Sequence, residues 1–295
     1  MPIIKKDEVM PERPVIIVIY GTPGTGKSSL ACTSENPLLI DTDRGSDRAC
    51  VRVDTLVASN WDDIYGELES FKGYNTIVVD TAKSVLDDFL ADMVVKRNYK
   101  LKTNALKRFG EMADEFKDFV NKLRANKSDI VFVCHDKETA EGDIVKHSPD
   151  CTGQSKDLLV RIADQVGYLT IVNGKRKLVF DPTDTTLGKN VGEIAPMDIP
   201  NKDSGKYQTC MADIISRVKQ SINNKSEAQR LEQEKLNKAR EQVMAAETVE
   251  DAEALIKVRD SLAKAHQTAF SNFMAEQLAQ KGIVYDKAQK KFVKQ

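Results

Sequence analysis

Residues 21–28 read GTPGTGKS and follow the apolar run Val15–Tyr20 without a gap. A buried strand feeding into GxxxxGK[ST] and then into a helix-forming stretch restricts the fold more than any other feature of the chain. Gly21, Gly24 and Gly26 let the backbone curl so that successive amide N–H groups point at phosphate oxygens, with Thr22, Pro23 and Thr25 completing the loop. Lys27 brings a positive charge to the β and γ phosphates, and Ser28, followed by Ser29, offers a hydroxyl to Mg²⁺. The helix expected to begin near Lys27 aims its positive end at the same anion. Residues 21–29 are therefore the candidate site for ATP with Mg²⁺; the bland alternative is a glycine-rich turn that happens to carry Lys and Ser.

Short β-branched runs alternate with longer helical patterns over residues 1–220, the signature of a mostly parallel sheet covered on both faces. Strands are expected at 15–20, 37–40, 76–79 and 129–134, all apolar on consecutive residues. Between the last two, Val85, Leu86, Phe89, Leu90 and Met93, then Leu106, Phe109, Met112, Phe116, Val120 and Leu123, recur at helical steps and read as core. Residues 136–157 are polar and aperiodic, a mobile loop or a loose hairpin, and a helix is expected over about 155–165. The runs 167–172 and 175–180 flank Asn173-Gly174, a type I′ turn signal, so an antiparallel hairpin joins the sheet at one side.

From Ser221 the composition shifts to Glu, Lys, Gln and Ala. Residues 221–295 are expected to form a helical extension, one helix carrying Leu231, Leu236, Ala239 and Val243 and a second starting at Thr248, paired as a hairpin within or between subunits. A short basic hairpin ends the chain. A net charge of −1 provides no global field for a polyanion, so any such site must be a local patch. Five scattered cysteines without a CxxC pair argue against a disulfide framework and fit a reducing cytoplasm. No run approaches the roughly 20 apolar residues needed to span a membrane.

Asp80 closes the Thr76-Ile-Val-Val run, where it can hold Mg²⁺ through its water shell, cap the following helix, or both. Its neighbours Thr81, Ala82 and Lys83 include no Glu to serve as catalytic base, so the base must come from elsewhere. Leu38-Leu39-Ile40 ends in Asp41-Thr42-Asp43, two carboxylates at i and i+2 facing the ligand edge of the sheet. Either could instead be a cap or turn residue. Cys134 and His135, adjacent on a strand, face opposite ways and do not form a metal pair.

The order GTPGTGKS, LLIDTD, TIVVD, VFVCH resembles the RecA-type ATPase core, and within it the small bacteriophage ATPases of recombination and single-strand annealing. The resemblance covers about residues 12–190 and implies an α/β RecA-like P-loop NTPase fold, ATP hydrolysis, and a homo-oligomer with ATP at subunit interfaces. It also implies Asp43 as the catalytic carboxylate, in place of the family's Glu, and His135 as a γ-phosphate sensor. Single-stranded DNA is the implied partner, contacted by the loops after the fourth strand; there Lys137, Lys146, Lys156 and Arg161 are the candidates, among acidic neighbours that also fit a solvated loop. The lysines that reach a neighbour's phosphate in RecA filaments are missing after the hairpin, so either Lys175, Arg176, Lys177 or Lys189 substitutes or there is no such finger. Two other functions fit the sequence: a small phosphotransferase with Arg44, Arg48 and Arg52 as clamps, and an ATP-switched assembly scaffold acting through the tail.

Overall fold

Every residue of strand β1 (Ile16–Gly21) is buried, which an extended chain achieves only between two apolar layers. The computed structural model, which describes residues 13–48, 51–286 and 291–294, contains both layers. After β1 come β2 (Pro37–Asp41), β3 (Asp54–Val57), β4 (Thr76–Asp80), β5 (Asp129–Glu141), β6 (Ile144–Pro149), β7 (Gln165–Val172), β8 (Lys175–Val179) and the short β9 (Lys189–Asn190) and β10 (Met197–Asp198). The sheet order is β10-β8-β7-β1-β5-β4-β2-β3, parallel from β7 to β3 and antiparallel at β8 and β10. This α/β architecture agrees with the sequence expectation and is consistent with a P-loop nucleotide-binding fold.

The helices are α1 (Lys27–Ala31), α2 (Trp61–Gly66), α3 (Leu90–Arg97), α4 (Ala105–Ala125), α5 (Gly153–Ile162) and α6 (Cys210–Ala245), with a π-helical turn at Ser84–Phe89 leading into α3. Ile16, Val18 and Tyr20 face one layer, where α2 to α5 bring Trp61, Leu90, Phe116, Phe119 and Leu159. Val15, Ile17 and Ile19 face the other, where α1 and the start of α6 bring Leu30, Met211, Ile214 and Val218. The strict alternation along β1 therefore separates two cores, one on each side of the sheet.

Two elements depart from the sequence reading. Strand β5 is thirteen residues long, and of the two expected forms of 136–157 the hairpin is present: 136–149 pair with β6 in regular register and turn at Gly142 (φ 62°), so the segment is not loose there. Beyond the parallel sheet both faces of this ribbon meet solvent, so no apolar run marks it. Strand β3 is an exposed edge for the same reason. Asn173 and Gly174 adopt φ 50° and 74°, as a type I′ turn requires.

The chain divides into two units, one comprising Glu12–Ile222 and one containing Asn223–Gln295. In the second, the later part of α6, α7 (Val249–Ser261), α8 (Lys264–Gln280) and the hairpin of β11 (Ile283–Asp286) with β12 (Lys291–Lys294) surround Leu236, Val243, Leu255, Phe270, Leu278 and Phe292. Thr248 starts α7 with a capping box to Asp251. The single helix expected from Thr248 onward is two: Leu262 and Ala263 are extended, and the Ala263 N–H donates to Glu232 of α6 at 2.9 Å. The polar turn at 287–290 lies outside the described residues.

Candidate nucleotide site

The phosphate-type loop joins β1 to α1. Gly24 and Gly26 have φ of 82° and 88°, the left-handed region that a side chain resists. Gly21 has an ordinary φ, and its reason for being glycine is different: a Cβ there would stand 2.1 Å from the Leu169 carbonyl oxygen of β7. The expectation that all three glycines serve loop curvature is corrected at this position; Gly21 permits two backbones to touch. Helix α1 has only five residues, so what it offers an anion is its first-turn N–H groups, left without a side-chain cap, rather than the field of a long helix.

Thr22 and Pro23 form the exposed crest of the loop. The Thr22 carbonyl accepts from Thr25 Oγ1 and from Lys27 Nζ, each at 2.9 Å. Lys27 is only 6% exposed; burial lowers its pKa and the nearby Asp80 charge opposes that shift. Pro23, Gly24, Gly26, Lys27, Ser28 and Ser29 form one wall of a cavity of about 350 Å³. The same cavity is lined by Asp41, Asp43, Asp80, Thr81 and His135, so the residues expected to carry the chemistry converge from β2, β4 and β5.

At the end of β4, Asp80 lines the same cavity as Ser28, close enough to feel its hydroxyl. Burial pushes its pKa above the ordinary carboxylate value, the charges of Asp43 and Asp41 push the same way, and Ser28 and Lys27 counter them. Clustered acids that disfavour one another's ionisation, beside a free-standing serine hydroxyl, are the donor set a hard divalent cation relieves. Ser28 and Asp80 thus fit Mg²⁺.

The two carboxylates after β2 separate in role. Asp41 is buried, and its oxygens accept the N–H groups of Asp43 (3.2 Å), Gly45 (3.1 Å) and Ser46 (2.8 Å), so it closes the turn. Asp43 lies past the strand end and faces the cavity: Oδ1 accepts from Ser84 Oγ at 2.9 Å and Oδ2 lies 3.8 Å from His135 Nε2. The nearby His135 imidazole, then the hydroxyls of Ser84 and Thr42, hold its pKa below the ordinary value against a partial burial penalty. Between them the Thr42 hydroxyl donates to the Asp80 carbonyl (3.0 Å) and accepts from the Thr81 N–H (2.9 Å), tying the ends of β2 and β4 together.

His135 is paired in parallel with Gly21. It is not a strand terminus as expected, because β5 continues to Glu141 and carries the chain from the cavity into the β5–β6 hairpin. Its Nδ1 is buried and without a hydrogen-bond partner among the described residues.

Sequence reasoning missed Ser84 and Lys202 and gave Arg176 a different place. Ser84 positions Asp43 from one turn beyond Thr81, to whose hydroxyl its own hydroxyl lies 3.1 Å away. Lys202, on an exposed loop after β10, lines the same cavity as the phosphate-type loop, and no local motif marks it. Arg176, a candidate finger by sequence, folds inward, donating to the Pro200 carbonyl at 2.5 Å and lying 5.0 Å over the Tyr207 ring, with Nη1 against Gly26. Lys189 is likewise held at home, donating to the carbonyls of Val160, Arg161 and Ala163 at the end of α5. Among the basic residues expected to meet DNA, Lys146 and Lys156 line a second cavity of about 410 Å³, with Lys146 paired to Glu141, whereas Lys137 and Arg161 stand apart from it. Arg44 points to Ser59 at 3.3 Å, Arg52 is exposed, and the Arg48 side chain lies outside the described residues.

Among the described residues no helix is long and apolar enough to cross a membrane. The model of one protein family, described as an AAA domain, matches residues 13–191, more than half of the chain. No curated protein matches it.

Proposed function

The chain belongs to the AAA domain family of P-loop ATPases, and from that premise we propose a RecA-like division of labour at the cavity. Residues 21–29 hold the phosphates of ATP, Ser28 and Asp80 hold Mg²⁺, and Asp43 orients the attacking water. ATP supplies the phosphoryl group, and the metal neutralises the charge that develops on it. The observation that carries this reading is the asymmetry between the two β2 carboxylates: Asp41 is occupied by three backbone N–H groups, while Asp43 faces the cavity, kept ionised by Ser84 and His135. An ionised carboxylate accepts a hydrogen bond from water and fixes its direction, which is the main contribution a protein makes to such a transfer.

The resemblance to the bacteriophage recombination and annealing ATPases extends the proposal to single-stranded DNA and to a homo-oligomer with ATP between subunits. Support comes from chain continuity: His135 borders the cavity, and Lys137 and Lys146 lie on the hairpin that continues from it. Contact by His135 with the γ-phosphate would bear on the orientation of that hairpin, and Lys156 of α5 shares a cavity with Lys146 of the hairpin, adding charge there. The test measures phosphate release with and without single-stranded DNA, together with DNA retention at low salt. Stimulation and retention are expected; absence of both refutes the DNA half. Lys27→Ala is expected to abolish nucleotide binding. Transfer to an acceptor instead of release of free phosphate would point to a phosphotransferase, for which Arg44, turned toward Ser59, offers no support.

A further inference from the structure

We propose that the β5–β6 hairpin holds a second divalent-cation site, formed by Asp136, Glu138 and His147 and independent of the nucleotide cavity. Asp136 and Glu138 are two apart on β5 and so share one face, and His147 of β6 stands directly across from Glu138. One donor atom from each of the three lies within 4.8 Å of the others. Asp136 follows His135 on the strand and faces away from it, and neither it nor Glu138 nor His147 lines the nucleotide cavity.

The second observation is the state of Asp136. Its side chain is only 2% exposed, and Oδ1 is buried with no hydrogen-bond partner among the described residues. Oδ2 is served by His147 Nδ1 at 2.7 Å and by the Tyr168 hydroxyl at 3.3 Å. An Asp–His–Tyr brace would explain Oδ2 but leaves Oδ1 uncompensated, a costly arrangement for a carboxylate out of water. A cation bound by both strands answers it.

The spacing suits first-row metals. With bonds of about 2.1 Å, donors stand about 3 Å apart at octahedral angles and about 4.2 Å apart when opposite one another, so three donor atoms within 4.8 Å can close on one ion, with the His147–Asp136 proton displaced as it binds. Glu138 is exposed, so its side chain is free to swing in as the third ligand. The Tyr168 ring, stacked on His147 at 5.0 Å, fixes the imidazole plane. One imidazole with two carboxylates selects a first-row transition cation over Mg²⁺, which favours oxygen alone and retains its water. The cation would staple the two strands at the base of the hairpin.

Co²⁺ is the probe, titrated calorimetrically into the full-length protein in excess Mg²⁺ and followed by visible absorption. One Co²⁺ per chain is expected, without a thiolate charge-transfer band, unaffected by Asp80→Asn and weakened by at least about tenfold in Glu138→Gln and His147→Gln. Glu138 is exposed, so its variant keeps the fold and circular dichroism checks that it does. Absence of saturable binding, a thiolate band from the cysteines, or unchanged affinity in both variants would overturn the proposal.

Discussion

The first glycine of the loop offers a test that separates packing from phosphate chemistry. A Cβ on residue 21 would lie 2.1 Å from the Leu169 oxygen and 3.1 Å from its carbonyl carbon. Carbon and oxygen approach no closer than about 3.3 Å without strain, so the two backbones must part by about 1 Å. Neither strand can yield freely: β1 is hydrogen-bonded on both sides, with Tyr20 registered to Tyr168, and Leu169 is registered to Leu178 of β8. Overpacking of about 2–3 kcal/mol plus one weakened ladder bond of about 1 kcal/mol gives roughly 3–4 kcal/mol for Gly21→Ala. In a unit of this size that lowers Tm by roughly 6–16 °C. Gly24→Ala is the control, because its Cβ meets nothing within 4 Å and the cost is only the positive φ of 82°, about 1–2 kcal/mol. Calorimetry of nucleotide-free protein measures both. A Gly21→Ala transition within about 2 °C of the parent, or one lowered less than that of Gly24→Ala, would refute the packing account.

Three other outcomes follow from the geometry. Asp80 has a raised folded pKa, so its contribution to stability is present below the ordinary carboxylate value and is lost as pH rises through the raised one. Metal-free Asp80→Asn is therefore expected to melt above the parent at neutral pH, with the gap closing as pH falls toward the ordinary carboxylate value; a less stable variant at neutral pH contradicts this. Asp43 has the opposite sign: its lowered pKa provides stability above the ordinary value that is lost as pH falls through the depressed one, so His135→Ala should lessen the loss of Tm on acidification, and an unchanged acid limb would show that the pair is not coupled. In the C-terminal unit, Glu232→Ala removes the acceptor for the Ala263 N–H and should cost about 1–2 kcal/mol; faster amide exchange at the start of α8 is the readout, and unchanged exchange there would exclude the cap.

The elements legible in the sequence are those governed by neighbouring residues. The loop after β1, the Asn173-Gly174 turn and the Thr248 start of α7 each rest on chemistry confined to a few positions, and each is where its motif puts it. The break between α7 and α8 is invisible locally because Glu232, 31 residues earlier, stabilises it. The β5–β6 ribbon and edge strand β3 lack an apolar face, which is the only periodic signal a strand displays. Within the site, spacing alone made Asp41 and Asp43 equivalent; the N–H groups of residues 43, 45 and 46 distinguish them. Lys202 and Arg176 reach the loop through tertiary folding, and no sequence spacing encodes that approach.

Asp43→Asn tests the central claim most directly, with nucleotide affinity and turnover measured on the same preparation. Asn keeps the size of the side chain and can still accept from Ser84, but it lacks the charge that directs water. Affinity for ATP with Mg²⁺ close to the parent and turnover reduced by about 10²–10³-fold are expected. Parental turnover in the variant would contradict the assignment of Asp43 and leave the cavity without its water-orienting carboxylate.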